Sequence, residues 1–300
     1  MTQSRSVARA LEEHHPGIRV ELVEIRTSGD RIQDVPLAPH LGQSFFTKEI
    51  QDALLDGRVD LAVHSCKDLA TELPAGTHLC AIPVREDCRD ALISGGPGLT
   101  DLPAGARVGT SSPRRKAFLR AVRPDLELTE LRGNVPTRLK AVDDGRCDAV
   151  ILAAAGLRRL GLGSRITEPL PTGIMLPAAS QGALALETRA DDERAREIVS
   201  VLDDPVCRSE VTAERACLRR LEAGCQAPVG ALGRHHDGVL HLRAAVEGPD
   251  GLVWAEVSGE SSEAEALGAR AANELLAALG LESLRNASWA GPPPRRLGAP

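Results

Sequence analysis

Aromatic residues are almost missing from this chain: no Tyr, three Phe and two Trp in 300 residues, or 2% of the whole. That excludes a stacking platform of the kind that holds single-stranded nucleic acid by ring faces. Long apolar runs are missing as well. No stretch approaches the ~20 residues of a membrane span, and the opening Met1-Thr2-Gln3-Ser4-Arg5-Ser6 has no apolar core of the signal-peptide type. There is no Cys-x-x-Cys pair and no His/Cys cluster at zinc spacing, so no metal site is expected. Neither G-x-G-x-x-G nor G-x-x-x-x-G-K-[ST] occurs, which leaves the dinucleotide and P-loop readings without support. A net charge of −6 argues against a bulk polyanion binder such as a nucleic-acid protein.

Hydrophobic residues at 42% and charged residues at 26% describe an ordinary globular protein, and 300 residues exceed one comfortable core, so two or three domains are expected. Seven cysteines, at 66, 80, 88, 147, 207, 217 and 225, are odd in number and scattered. In a cytosolic protein most of them read as small buried hydrophobes.

An internal echo supplies the architecture. Asp56-Gly57-Arg58-Val59-Asp60 runs into Leu61-Ala62-Val63-His64, and 88 residues later Asp144-Gly145-Arg146-Cys147-Asp148 runs into Ala149-Val150-Ile151-Leu152. Each copy follows a segment of helical period, Phe46 to Leu55 and Val135 to Val142. Gly57 and Gly145 then suit the left-handed residue that ends a helix, and the apolar runs read as buried parallel strands. Ile18 to Ile25, His78 to Pro83 and Arg107 to Gly109 are further strand candidates. The pattern predicts two similar α/β domains whose strand ends, His64 to Asp68, Gly109 to Ser112 and Gly156 to Arg159, line a shared crevice. Beyond them, Val211 to Glu222 has helical spacing with a stop at Gly224, Val239 to Val246 and Leu252 to Val257 read as strands bounded by Asp237-Gly238 and Pro249-Asp250-Gly251, and Ser262 to Leu279 as a helix. That third region predicts a small α+β domain, with residues 289–300 a disordered tail. Thr2 to Glu13 reads as a helix with no strand before it, so the first domain is expected to lack its leading strand.

Charge is unevenly placed. Between Arg107 and Arg165 thirteen Lys/Arg face six Asp/Glu, a local +7 that leaves −13 for the rest. A basic segment in an acidic protein suits a small, multiply anionic ligand. Arg114, Arg115, Arg132, Arg138, Arg158 and Arg159 offer bidentate contacts to carboxylate or phosphate, and Thr110-Ser111-Ser112 can bind an anion where a helix begins. For any one of these arginines a solvated face is an equal reading. Asp68 is the lone acid beside the basic strand ends. It fits a helix N-cap as well as a carboxylate that stabilises a cation. Cys225 lies in a constrained loop, Gly224-Cys225-Gln226-Ala227-Pro228, and could carry a covalent group; Cys66, among the strand ends, is its rival.

Taken together, Ala62 to Asp68, Gly109 to Arg115, Leu131-Arg132-Gly133-Asn134-Val135 with Thr137-Arg138-Leu139, Ile151 to Arg159, Pro177 to Ala183 and Leu221 to Gly230 resemble the hydroxymethylbilane synthase (porphobilinogen deaminase) family, over about Gln3 to Gly280. The resemblance implies two periplasmic-binding-protein-like (type II) α/β domains, 1–83 with 183–203 and 88–178, plus a small α+β C-terminal domain, 204–288. It implies a cytoplasmic, monomeric transferase of tetrapyrrole, porphyrin and heme biosynthesis. Such an enzyme joins four porphobilinogen molecules with loss of ammonia and hydrolyses the product to hydroxymethylbilane. It implies a dipyrromethane cofactor in thioether linkage to Cys225, Asp68 as the catalytic acid group, Arg114, Arg115, Arg132, Arg138 and Arg159 for the carboxylates, and Ser65, Lys67, Thr110, Ser111, Ser112, Gly133 and Gln181 as further site residues.

The family pattern opens with a strand and an Arg-x-Ser-x-Leu-Ala segment. This sequence starts just after that point, and a start placed too far downstream is expected rather than a chain without the strand. Pro39, Gln43 and Ser28 stand where the family often has basic residues, and Ser180 where it has Gly. Two other readings are a non-catalytic small-anion-binding protein, as the fold alone permits, and an inactive truncated member of the family.

Overall fold

The computed structural model describes residues 1–25, 47–223, 227–285 and 287. Cys225, the Gly224 stop, Ser28, Pro39, Gln43 and the tail 289–300 therefore lie outside the described residues. The helices are α1 (Thr2–His14), α2 (Lys48–Leu55), α3 (Pro113–Val122), α4 (Val135–Asp143), α5 (Ala154–Arg159), α6 (Glu193–Ser200), α7 (Pro205–Leu221) and α8 (Ala264–Leu279). The strands are β1 (Ala62–Ser65), β2 (Thr77–Ala81), β3 (Asp90–Ile93), β4 (Arg107–Gly109), β5 (Glu127–Thr129), β6 (Ala149–Ala153), β7 (Glu168–Pro169), β8 (Leu184–Arg189), β9 (Val229–His236), β10 (Val239–Gly248) and β11 (Gly251–Gly259).

Three sheets result: β1-β8-β2, β5-β4-β6-β3-β7 and β11-β10-β9. In the second sheet β4 runs parallel to β5 and β6, while β3 pairs antiparallel with β6 and β7. The echo in the sequence is an echo in the backbone. After α2 the Gly57 N–H bonds to the Leu54 carbonyl and the Arg58 N–H to Ala53; after α4 Gly145 bonds to Val142 and Arg146 to Ala141. Both glycines have positive φ, +71° and +68°. These are two copies of one helix-ending motif, each feeding a strand.

Some expectations need correction. β1 pairs antiparallel with β8, so among the described residues it is not a parallel strand. Ile18 to Ile25 joins no sheet; its chain is tied instead by the Ile18 N–H on the His15 carbonyl and the Val20 N–H on the Glu12 carboxylate. The free edge of β1 borders a groove of about 1290 Å³ lined by Val7, Leu11, Val20, Leu22, Leu61 and Val63. This is the edge that the expectation of a leading strand concerns, and no described strand pairs with it. α7 begins at Pro205, six residues earlier than the spacing predicts. Asp204 caps it through the Cys207 N–H at 2.7 Å, with Pro at the first helical position. It ends at Leu221 on a left-handed Glu222, before the predicted glycine stop.

The third sheet is packed on both faces. α7 and α8 cover one face with Ala213, Cys217, Leu267, Ala271 and Leu275. The other face contributes Leu232 and Ala245 to the core of the second sheet, around Val108, Phe118 and Ile151. Phe118 meets Trp254 edge to face at 5.7 Å. α7 and α8 touch closely at Gly268, where a Cβ would lie 2.4 Å from the Ala213 carbonyl oxygen. Gly268→Ala must therefore push the helices apart, and overpacking of this kind costs about 1–3 kcal/mol or more. A urea midpoint unchanged from the parent would contradict that contact.

Candidate active site

The turn after β1 and the start of α3 belong to different sheets, yet one polar network joins them. Asp90, at the first position of β3, is fully buried and accepts from three side chains. Arg114 Nη1 donates to Asp90 Oδ2 at 2.7 Å and to the Leu176 carbonyl at 2.6 Å. Arg115 donates to Asp90 Oδ1 through Nε at 3.0 Å and Nη2 at 2.7 Å, and to the Ile151 carbonyl through Nη1 at 2.9 Å. Gln181 Nε2 donates to Asp90 Oδ1 at 3.0 Å and to the Cys88 carbonyl at 2.9 Å. Its Oε1 accepts from Lys67 Nζ at 3.3 Å. Lys67 is thereby tied to Asp90 through one side chain. The two guanidiniums hold the Asp90 carboxyl far below the usual carboxylate range, against its burial.

The segments that carry Gln181 and Asp90 press together. Gly182 sits at φ +90°, and a Cβ there would lie 2.4 Å from the Glu86 carbonyl oxygen. That same Gly182 carbonyl accepts from Arg159 Nη2 at 2.7 Å. Arg85 closes the junction from the α7 side, donating to Gln181 O at 2.9 Å and to both Glu214 oxygens at 2.6 and 3.0 Å. Ser180 adopts φ +63°, a left-handed conformation that favours glycine, in keeping with the glycine expected there from the family pattern.

Asp68 ends the short 3₁₀ turn Cys66–Asp68, so it is not the N-cap that its residue type allows. It remains exposed, but crowding by protein raises its carboxyl, with Lys67 and His64 pulling the other way. Burial lowers the Lys67 ammonium, with Asp68 opposing. The pair thus stands with acid and base brought toward each other, a poise suited to proton handling. Ser65, at the end of β1, accepts from Gln3 Nε2 at 3.0 Å.

The basic segment resolves by subtraction. Of its thirteen cations, ten are ion-paired: Arg107, Lys116, Arg120, Arg123, Lys140, Arg146, Arg158 and Arg165 on peripheral acids, Arg114 and Arg115 on Asp90. Of these thirteen, Arg132, Arg138 and Arg159 are the three with no ion-pair partner among the described residues. Arg138 gives Nε to the Gly133 carbonyl at 2.8 Å. Burial, together with neighbouring Arg115 and Arg132, pushes it down to about 10. A crowded cation without a counter-ion calls for an anion. Arg158 does not share this state: it is spent on Asp87 at 3.0 Å and Glu86 at 3.5 Å. Arg114 and Arg115 differ from expectation in degree, since two guanidiniums share one carboxylate and keep a residual charge of one.

α3 starts at this place. Ser112 caps it, its Oγ accepting from the Arg115 N–H at 3.4 Å, and Thr110 Oγ1 accepts from the Ser112 N–H at 3.2 Å. Ser111 stands between them, half-buried. Asn134 caps α4 through the Thr137 N–H at 2.9 Å and so fixes the helix start that carries Arg138.

The thiols divide cleanly. Cys66, Cys80, Cys88, Cys147, Cys207 and Cys217 are all buried and free. Burial raises Cys66, and Cys207 and Cys217 are pushed up to about 12. Cys66, the rival to Cys225, is sealed and unactivated.

These groups define an α/β protein with a polar junction built on Asp90, with Arg138 and Arg159 near it lacking acid partners. A dipyrromethane, with acid groups on each ring, offers such partners. The porphobilinogen deaminase model for the dipyromethane cofactor binding domain matches residues 1–197, and that for the C-terminal domain matches 209–277. The porphobilinogen deaminase of Geobacter sulfurreducens is 48% identical over 284 residues, 94% of this chain and 89% of that protein. That of Desulforudis audaxviator is 50% identical over 279 residues, 92% and 90% of the two. The chain belongs to the porphobilinogen deaminase family. A solved structure, the VFT2 domain of Bordetella pertussis BvgS in a double mutant, is similar at TM-score 0.38 and 16% identity over 66% of this chain and 76% of that one; the sheets described above, not that likeness, define the fold.

Asp90 and Glu86 were not among the residues singled out from sequence. Asp90→Asn would leave Arg114 and Arg115 buried without a counter-charge, a loss of about 3–5 kcal/mol for a broken buried pair. Urea denaturation should show it. A parent-like midpoint would mean that Asp90 does not hold the arginines.

Proposed function

We infer that the chain carries out the reaction of its family, joining four porphobilinogen molecules head to tail with loss of ammonia and releasing hydroxymethylbilane by hydrolysis. It is a transferase of tetrapyrrole and heme biosynthesis. The observation that carries this reading is the exposed carboxylate of Asp68 beside Lys67, whose ammonium is tied through Gln181 to Asp90 and its two arginines. The non-catalytic binding-protein reading gains nothing from the structure, since anion binding alone needs no carboxylate there.

Dipyrromethane, when bound, supplies the free pyrrole α-carbon from which the product grows. Cys225 is the residue assigned to its thioether, on the family pattern. Arg132, Arg138 and Arg159 take the carboxylates of cofactor and substrate, with the residual charge of the Arg114–Arg115–Asp90 group behind them. Thr110, Ser111 and Ser112 add hydroxyl and amide donors at the start of α3, and Ser65, Gly133 and Gln181 shape the walls. Asp68 accepts hydrogen bonds from pyrrole N–H groups and opposes the positive charge that develops when ammonia leaves the substrate methylene. Lys67, lowered by its surroundings, is suited to pass a proton to the departing amine.

The same reading divides the chain into 1–83 with 183–203, 88–178 and 204–288. No described helix is long and apolar enough to cross a membrane. We place the protein in the cytoplasm as a monomer acting on a small molecule.

Asp68→Asn keeps the shape of the side chain and removes its charge. Turnover of porphobilinogen should fall by about 10²–10⁴-fold, while the purified variant still carries its covalent cofactor. Turnover within tenfold of the parent would remove Asp68 from the mechanism.

A further inference from the structure

Helix α7 lies against the turn that carries Asp68. Its Cys207 and Val211 share one buried cluster with Cys66 and Leu69, the two residues that flank Lys67 and Asp68. Four residues further along α7, on the same side of the helix, comes Arg215. Its Nη1 donates to the Leu69 carbonyl at 3.2 Å and its Nη2 to the Ala70 carbonyl at 2.5 Å. One guanidinium fork thus spans two consecutive carbonyls, the first of them directly after Asp68. Arg215 is 7% exposed and has no ion-pair partner among the described residues.

A guanidinium keeps its charge at any working pH. To bury one without an acid partner is costly, and stability alone is often served as well by an apolar side chain of similar length. The place of its two bonds gives the reason for it. In front of Asp68, the Cys66 N–H is held by the Ala183 carbonyl at 3.0 Å and Lys67 Nζ by Gln181 at 3.3 Å. Behind it, the Leu69 N–H closes the turn on the Cys66 carbonyl at 3.2 Å, and Arg215 takes the next two carbonyls. No side chain among the described residues is hydrogen-bonded to the Asp68 carboxylate itself. Its position is therefore set by the backbone of this turn.

α7 is in turn fixed at the adjoining residue. Glu214, fully buried, accepts from the Ser180 N–H, from the Gly233 N–H at 2.8 Å and from Arg85 at 2.6 and 3.0 Å. In sequence the same helix leads to Cys225, four residues beyond Leu221. We propose that Arg215 is a positioning residue for the reaction: it holds Asp68 in place relative to α7, the helix that precedes the cofactor cysteine. This rests on the reading of Asp68 as the catalytic group, and extends it to a residue that acts through backbone carbonyls.

The test is a double-mutant cycle on cofactor-loaded enzyme: parent, Arg215→Met, Asp68→Asn and the double variant. The kcat and KM of porphobilinogen turnover are expressed per loaded molecule, with loading counted by intact mass. Arg215→Met keeps the bulk of the stem and removes both donors. With Asp68 present, kcat should fall by about 10–100-fold, the effect of moving a reacting group by about 1 Å, while KM stays within about threefold of the parent. In the Asp68→Asn background the same substitution should cost less than about threefold, because no carboxylate is left to misplace. Arg215→Lys keeps the charge but replaces the fork by a point donor. Its kcat should lie between those of the parent and Arg215→Met, and it takes over the cycle should Arg215→Met fail to fold. Equal losses in both backgrounds, a loss confined to KM, or a kcat within about twofold of the parent would overturn the proposal. Turnover by Asp68→Asn within about tenfold of the parent would instead sink the reading of Asp68 itself, so that single variant tells the two failures apart.

Discussion

One carboxylate organises this protein. Asp90 is buried at the start of β3, where it neutralises part of a pair of arginines from α3 and receives Gln181 from the segment that leads back to β8. An acid with no water around it must be satisfied by its neighbours. Here the neighbours come from three parts of the chain, so satisfying Asp90 fixes where those parts meet. Lys67 is then positioned through Gln181, and Asp68 follows by one residue. The junction would not exist as a polar site if Asp90 were apolar.

The same logic explains the distribution of charge. A local excess of seven positive charges looks like a broad basic surface, but pairing within the fold removes most of it. What is left is three arginines without acid partners: Arg138 on the first turn of α4, Arg132 just before it, and Arg159, which is tied to the Gly182 carbonyl. Function here depends less on how many cations the chain has than on which of them the fold declines to neutralise. That choice is made by short acidic partners such as Asp87 and Asp148, which absorb Arg158 and Arg107.

Much of this was legible in sequence, and what was not has physical reasons. The echo around Gly57 and Gly145 is local chemistry, a helix-ending turn repeated, and it appears as such in both places. The Arg, Ser and Thr positions of the junction carry family motifs and can be named from them. Asp90 could not be found in that way, because nothing in Cys88-Arg89-Asp90-Ala91 separates a buried hub from a surface acid. His64 and Glu187 are far apart in sequence and meet only through the β1–β8 register. The strand expected at Ile18 to Ile25 has the right composition, but a strand requires a partner, and among the described residues it has none. The early start of α7 was readable, since Asp204-Pro205 is a capping acid followed by a first-turn proline. It was hidden by the absence of apolar spacing in the first turn. β9 was missed because Gly230, Gly233 and two histidines break the alternation that marks a half-buried strand.

On the proposed reading the junction serves the dipyrromethane cofactor of the family, with Cys225 as its attachment. The intact mass and cysteine-peptide map of freshly purified protein address this directly. A dipyrromethane adduct on the peptide that contains Cys225, absent from Cys225→Ala, is the predicted result. An unmodified Cys225 in fresh protein, or an adduct on any other cysteine, would contradict it.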